Sequence, residues 1–194
     1  MSGLTPLQES ILILLGIKNQ IEVALKSIRS KERVQDEGLK FTVCNHIQIL
    51  VCSFLEEWRR LERLGVKSEI QKTLKIASPA IDRIKQWRGL AKVRSQLLAH
   101  PQRDSDGNFV PPWRTFASYS APTTYAETIL LGNCVIKATS VVLKRHAKEY
   151  RLAFAMVESR AEDIADKGIK TVGDVKTELE RIDSQIAERF HLIT

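Results

Sequence analysis

Apolar side chains recur every three to four positions along most of this chain, the period of helices that bury one face. Leu7, Ile11, Leu14, Leu15, Ile21 and Leu25 form the first such stripe. Thr5-Pro6-Leu7-Gln8 precedes it with a capping hydroxyl, a proline suited to the first helical position and a glutamine at the capping-box position. This helix is predicted to run to about Ser30, with a charged joint over Lys31 to Gly38. A second stripe, Phe41, Cys44, Ile47, Val51, Leu55 and Trp58, predicts a helix ending near Gly65. Ile70, Leu74 and Ala77 give a shorter helical segment over about Lys67 to Ala77.

Ser78-Pro79 reads as the start of another helix, continuing to His100 before Pro101. Its broad apolar face comprises Ala80, Ile81, Ile84, Trp87, Leu90, Ala91, Leu97 and Leu98. That width predicts a central helix. The stretch from Gln102 to Thr123 is irregular, with an Asp106-Gly107 turn signal and Pro111, Pro112 and Pro122. Thr124-Tyr125-Ala126-Glu127 is a capping box that opens a long helix toward Ala165. Gly168 and then Thr171 to Asp174 precede a last amphipathic helix ending near Phe190. Period-2 alternation is scarce. The pattern therefore predicts an all-α, up-and-down bundle of four or more main helices, with a long ordered loop before the penultimate long helix. Residues 1–166 are assigned to the bundle and 167–194 to a C-terminal helical appendage.

Composition changes this picture little. The chain of 194 residues is 43% hydrophobic and 27% charged, an ordinary globular balance. Its net charge of +7 favours polyanionic partners without identifying one. Cys44, Cys52 and Cys134 form no paired framework, and the apolar run Ile11 to Ile17 is shorter than the ~20 residues of a membrane span. A cytoplasmic protein with no membrane partner is expected.

Candidate chemistry centres on Arg94, which falls inside the apolar face one turn after Leu90 and one before Leu98. A charge there requires a partner, or a stem that packs while its head reaches water. His100 lies about 120° from it around a continuous helix, but Pro101 biases the helix to end there, freeing the imidazole to swing back. Arginine beside a titratable imidazole suits a phosphodiester. The first grips phosphate, and the second moves a proton near neutral pH.

The run Arg94-Ser95-Gln96-Leu97-Leu98-Ala99-His100, within LAKVRSQLLAHPQRD, resembles the Arg-x(4–6)-His signature of the HEPN superfamily (higher eukaryotes and prokaryotes nucleotide-binding). It is most similar to the abortive-infection and toxin-like bacterial members. With the surrounding helical order, the resemblance covers about Leu39 to Tyr150. It implies a helical, homodimeric, metal-independent endoribonuclease with no cofactor, acting on RNA and paired with an antitoxin or another protein. Arg94 would bind the scissile phosphate, and His100 would assist attack by the ribose 2′-hydroxyl, leaving a cyclic phosphate. Ser95 stands where the family often has Asn or Asp. Some members have lost catalysis, so a non-catalytic interaction module or a nucleotide-binding regulatory bundle is the alternative.

Arg83, Arg88, Lys92, Arg103 and Arg114 surround the motif and could guide an RNA backbone; Ser95, Arg103 and Arg114 are the substrate-binding candidates. Phe109, Trp113, Phe116, Tyr119 and Tyr125 could stack bases, although anchoring the long loop is the commoner role. Glu56 and Glu57 could offer Arg94 a carboxylate, but spacing selects neither. Cys44 and His46 make a poor metal signal, and His146 and His191 lack a constellation.

Overall fold

A computed structural model describes residues 3–29, 37–65, 68–94, 120–158, 173, 176–182 and 184–185. Contacts divide the chain into Met1–Met156 and Val157–Thr194. The protein is an all-α helical bundle, with no strand among the described residues. Its helices are α1 (Pro6–Arg29), α2 (Glu37–Leu64), α3 (Ser68–Lys85), a single turn α4 (Leu90–Val93), α5 (Tyr125–Arg145) and α6 (Ala147–Glu158).

Both sequence-predicted capping boxes form. The Thr5 backbone N–H donates to Gln8 Oε1 at 2.9 Å, and Gln8 N–H donates to Thr5 Oγ1 at 3.3 Å. At α5, Glu127 N–H donates to Thr124 Oγ1 at 3.1 Å while the Glu127 carboxylate accepts from Thr124 N–H at 3.1 Å. Each cap satisfies backbone donors that a helix start otherwise leaves bare.

α1 packs on α2, α3 packs on α5, and α5 also touches α1 and α2. Ile11, Leu14, Ile21, Ile47, Val51, Phe54, Ile84, Leu131 and Val135 are among the residues buried in the shared core. The buried face of α2 is wider than the stripe read from sequence. It adds Leu50, Phe54 and Leu61, with the Phe54 and Trp58 rings tilted by 36° and 5.4 Å apart between centroids, while Phe41 is exposed.

Three predicted boundaries are corrected. Pro79 does not start a helix; it lies inside α3. Ile70, Ala77, Ile81 and Ile84 are one continuous buried row on both sides of it, and this burial outweighs the proline's lost hydrogen bond. Nor does one helix run from Pro79 to His100. The chain turns over Gln86 to Gly89, where Trp87 tucks in beneath the Arg83 guanidinium, 3.9 Å from the ring centroid, and Gly89 N–H donates to Ser120 O at 2.8 Å. Ile81, Ile84, Trp87 and Leu90 are buried as expected; Ala91 is exposed. The long helix expected from Thr124 also breaks, at His146, between α5 and α6.

α2 and α5 each hold an 18-residue stretch that is apolar enough to cross a membrane, by length and composition alone. Both lie outside the short apolar run Ile11–Ile17. Both turn buried faces into the bundle. Within Val157–Thr194, helical residues 176–182 carry a Lys176–Glu180 pair at 3.9 Å and an Arg181–Glu178 pair at 2.5 Å. The loop from Gln102 and the helix end near Phe190 lie outside the described residues.

Gly132 sets the approach of α5 to its neighbours. A Cβ there would meet Ile21 Cγ2 at 3.0 Å and Leu25 Cδ1 at 3.3 Å. Gly132→Leu is therefore expected to cost about 1–3 kcal/mol in urea unfolding. Gly16→Ala, in α1 with nothing within 4 Å, should instead stabilise by up to about 1 kcal/mol.

Candidate functional site

Four side chains on α2, Cys44, Gln48, Cys52 and Glu56, follow one another at single-turn intervals, the spacing at which helix residues share a surface. They receive chain from both sides of residues 95–119. Gln48 Nε2 donates to Pro122 O at 3.4 Å, and Cys52 Sγ donates to Leu90 O at 3.5 Å. Glu56 forms an ion pair with Arg94 through Oε1 and Nη1. Arg94 caps the C-terminal end of α4. α4 therefore docks on α2 through Cys52 and Glu56, while the start of α5 is tied to the same helix by Gln48.

The Arg94 side chain is 36% exposed and that of Glu56 59%. It is thus no isolated buried charge: its stem packs, its head meets a carboxylate, and solvent reaches both. An exposed pair of this kind contributes about 0–1 kcal/mol. A guanidinium carries five N–H donors, so holding Nη1 leaves a planar fork that can still grip an oxyanion. Burial pushes the nearby Cys52 thiol up to about 11, against the smaller opposing pull of Arg94, so it is no nucleophile near neutral pH.

Of the sequence-predicted site, Arg94 is placed as described; Ser95, His100, Arg103 and Arg114 lie outside the described residues. Glu56, which spacing could not select, is the carboxylate that Arg94 meets. Glu57 points elsewhere: it is buried, accepts from Ser10 Oγ at 2.5 Å, and ties α2 to α1. Arg83 lies over Trp87 and Arg88 is exposed. Among the described residues no group of three His, Cys, Asp or Glu could hold a metal ion. An open groove of about 420 Å3 between α1 and α2 is lined by Gln20, Val23, Ala24, Val43 and His46, among others, and includes no predicted site residue.

No family model, no curated protein and no solved structure matches the chain.

One polar constellation escapes the sequence altogether. His146, buried at the α5–α6 joint, sits with Nε2 3.1 Å from the hydroxyl of fully buried Thr73, on α3. Arg145 Nε donates to that hydroxyl at 3.1 Å, and Arg145 Nη2 donates to Glu69 Oε2 at 2.8 Å. His146 therefore does have a constellation, but its members lie more than seventy residues apart. Burial lowers the His146 pKa from its ordinary 6.5, with Arg145 acting in the same direction and Glu149 and Glu69 opposing.

As the pH falls through about 6.5 the unfolded chain protonates this histidine before the folded chain does, so stability present above that value is lost below it. His146→Gln removes this titration. The stability gap between wild type and variant, measured by urea unfolding, should narrow as the pH falls from 7.5 to 5.

Proposed function

We propose that this protein is a HEPN-like, metal-independent endoribonuclease, cytoplasmic and homodimeric, serving a defence or toxin-type role alongside an antitoxin or other protein partner. The observation that carries the reading is Arg94. It ends a helical turn seated on an all-α bundle, half-exposed, its guanidinium steadied by Glu56, at the first position of the Arg-x5-His run.

In this reading the guanidinium binds the scissile phosphate and offsets charge that builds on its oxygens. His100 takes the proton from the ribose 2′-hydroxyl as O2′ attacks phosphorus. The bond from phosphorus to O5′ breaks, the leaving oxygen gains a proton, and a 2′,3′-cyclic phosphate remains. Arginine suits the first task better than lysine, because its planar fork makes two parallel hydrogen bonds.

The same Arg94–Glu56 pair also fits a non-catalytic interaction module, in which the two charges simply fix α4 to α2. Activity separates the readings. Purified protein should cleave single-stranded or structured RNA with a chelator present. His100→Ala should slow cleavage by roughly 10²–10⁴ while far-ultraviolet circular dichroism stays unchanged. Arg94→Lys, which keeps the charge, should also lose most of the rate. Equal cleavage by wild type and His100→Ala would leave the module as the function.

Assembly is a separate test. A symmetric dimer presents the same patch twice. Light scattering should give twice the chain mass over a wide concentration range, and a monomer throughout would remove the homodimer from the proposal.

A further inference from the structure

Arg59 and Arg63 lie one turn apart on α2, both exposed, about 6 Å from each other along the axis. They continue the surface that carries Glu56, since residues three and seven positions on from it share its side of the helix. Arg94 reaches the same stretch of α2, because its guanidinium meets Glu56, one turn before Arg59.

The acids that would ordinarily neutralise these arginines are engaged elsewhere. Glu56, one turn before Arg59, is taken by Arg94. Glu62, three residues after Arg59, faces Lys85 at 3.9 Å. Arg63 has no acid at three or four positions in either direction; four positions back stands Arg59 itself. Among the described residues neither arginine has an ion pair, whereas their neighbour Arg60 holds Glu9 at 2.6 Å. Like charges one turn apart destabilise a helix. The row therefore carries a small folding cost that a bound polyanion would reverse.

We propose that Arg59 and Arg63, in line with Arg94, form a track for the sugar–phosphate backbone of single-stranded RNA. This inference rests on the ribonuclease reading and adds its substrate-holding surface. The contacts are ionic and independent of base identity, so they position the strand rather than select its sequence.

The test uses the full chain carrying His100→Ala, to prevent cleavage, and a fluorescently labelled, unstructured 20-nucleotide RNA. Binding is followed by anisotropy over a range of salt concentrations. Each lost phosphate contact lowers the slope of log affinity against log salt by about 0.7 for a single strand. Arg59→Gln with Arg63→Gln should bind more weakly and lower the slope by about 1.4. Lys75→Gln with Lys144→Gln, an equal charge loss at exposed positions on α3 and α5, should leave it nearly unchanged.

An equal fall for both pairs would show a response to net charge alone and overturn the track. RNA binding with an unaltered slope in the Arg59/Arg63 variant would overturn the track and leave the ribonuclease reading standing. Absence of both binding by the His100→Ala chain and cleavage by wild type would overturn the two together.

Discussion

α5 lies against three other helices at once, and only a helix with small side chains at the right positions can do so. Gly132 is among them, with Ile21 and Leu25 of α1 so close that even one added carbon crowds them and Ile47 of α2 within contact distance. Thr128, Cys134, Ala138 and Thr139 keep the rest of its buried surface low, while Leu131, Val135 and Val142 supply the apolar area. Because packed interiors tolerate little added volume, the spacing of α1 and α2 follows from this seam. The position of Glu56 follows from α2, and that of Arg94 from Glu56. The candidate site thus inherits its geometry from a glycine on another helix.

How far the sequence could be read depended on how local the determining interactions were. Caps and stripes involve residues three or four apart, so Thr5–Gln8, Thr124–Glu127 and the α1 face were legible. Pro79 was misread because local rules place proline at a helix start, whereas here the buried row from Ile70 to Ile84 holds the helix through it. The break after Lys85 was missed for the opposite reason. Nothing near Trp87 and Gly89 forces a turn by itself; Ser120, more than thirty residues away, receives the Gly89 N–H. Arg94 was singled out correctly as a charge needing a partner. Which carboxylate it meets was undetermined, since Glu56 and Glu57 differ by 100° around α2 and only the tertiary fold chooses.

Buried polar groups tell the same story from the energetic side. Ser10–Glu57 ties α1 to α2, and Thr73–His146 ties α3 to the end of α5. Each satisfies groups whose isolation would be costly, and each therefore fixes the relative placement of two helices more narrowly than apolar contact does. These two buried links pair neutral or singly charged groups. The Arg94–Glu56 link, like Arg60–Glu9 and Arg145–Glu69, pairs two full charges and remains open to water.

That openness bears on what Arg94 can do. A fully buried ion pair resists exchange, because removing one partner strands the other charge in a poor solvent. A half-exposed pair has no such penalty: water or an incoming phosphate can replace the carboxylate at little net cost. Glu56 can therefore hold the guanidinium in position before a ligand arrives without competing strongly once it does. A neutral partner in its place would keep a hydrogen bond but not the charge-assisted one, and would leave a third uncompensated cation beside Arg59 and Arg63. The carboxylate at Glu56 thus does two things at once. It orients one arginine, and it limits the mutual repulsion of a row that the helix alone would disfavour.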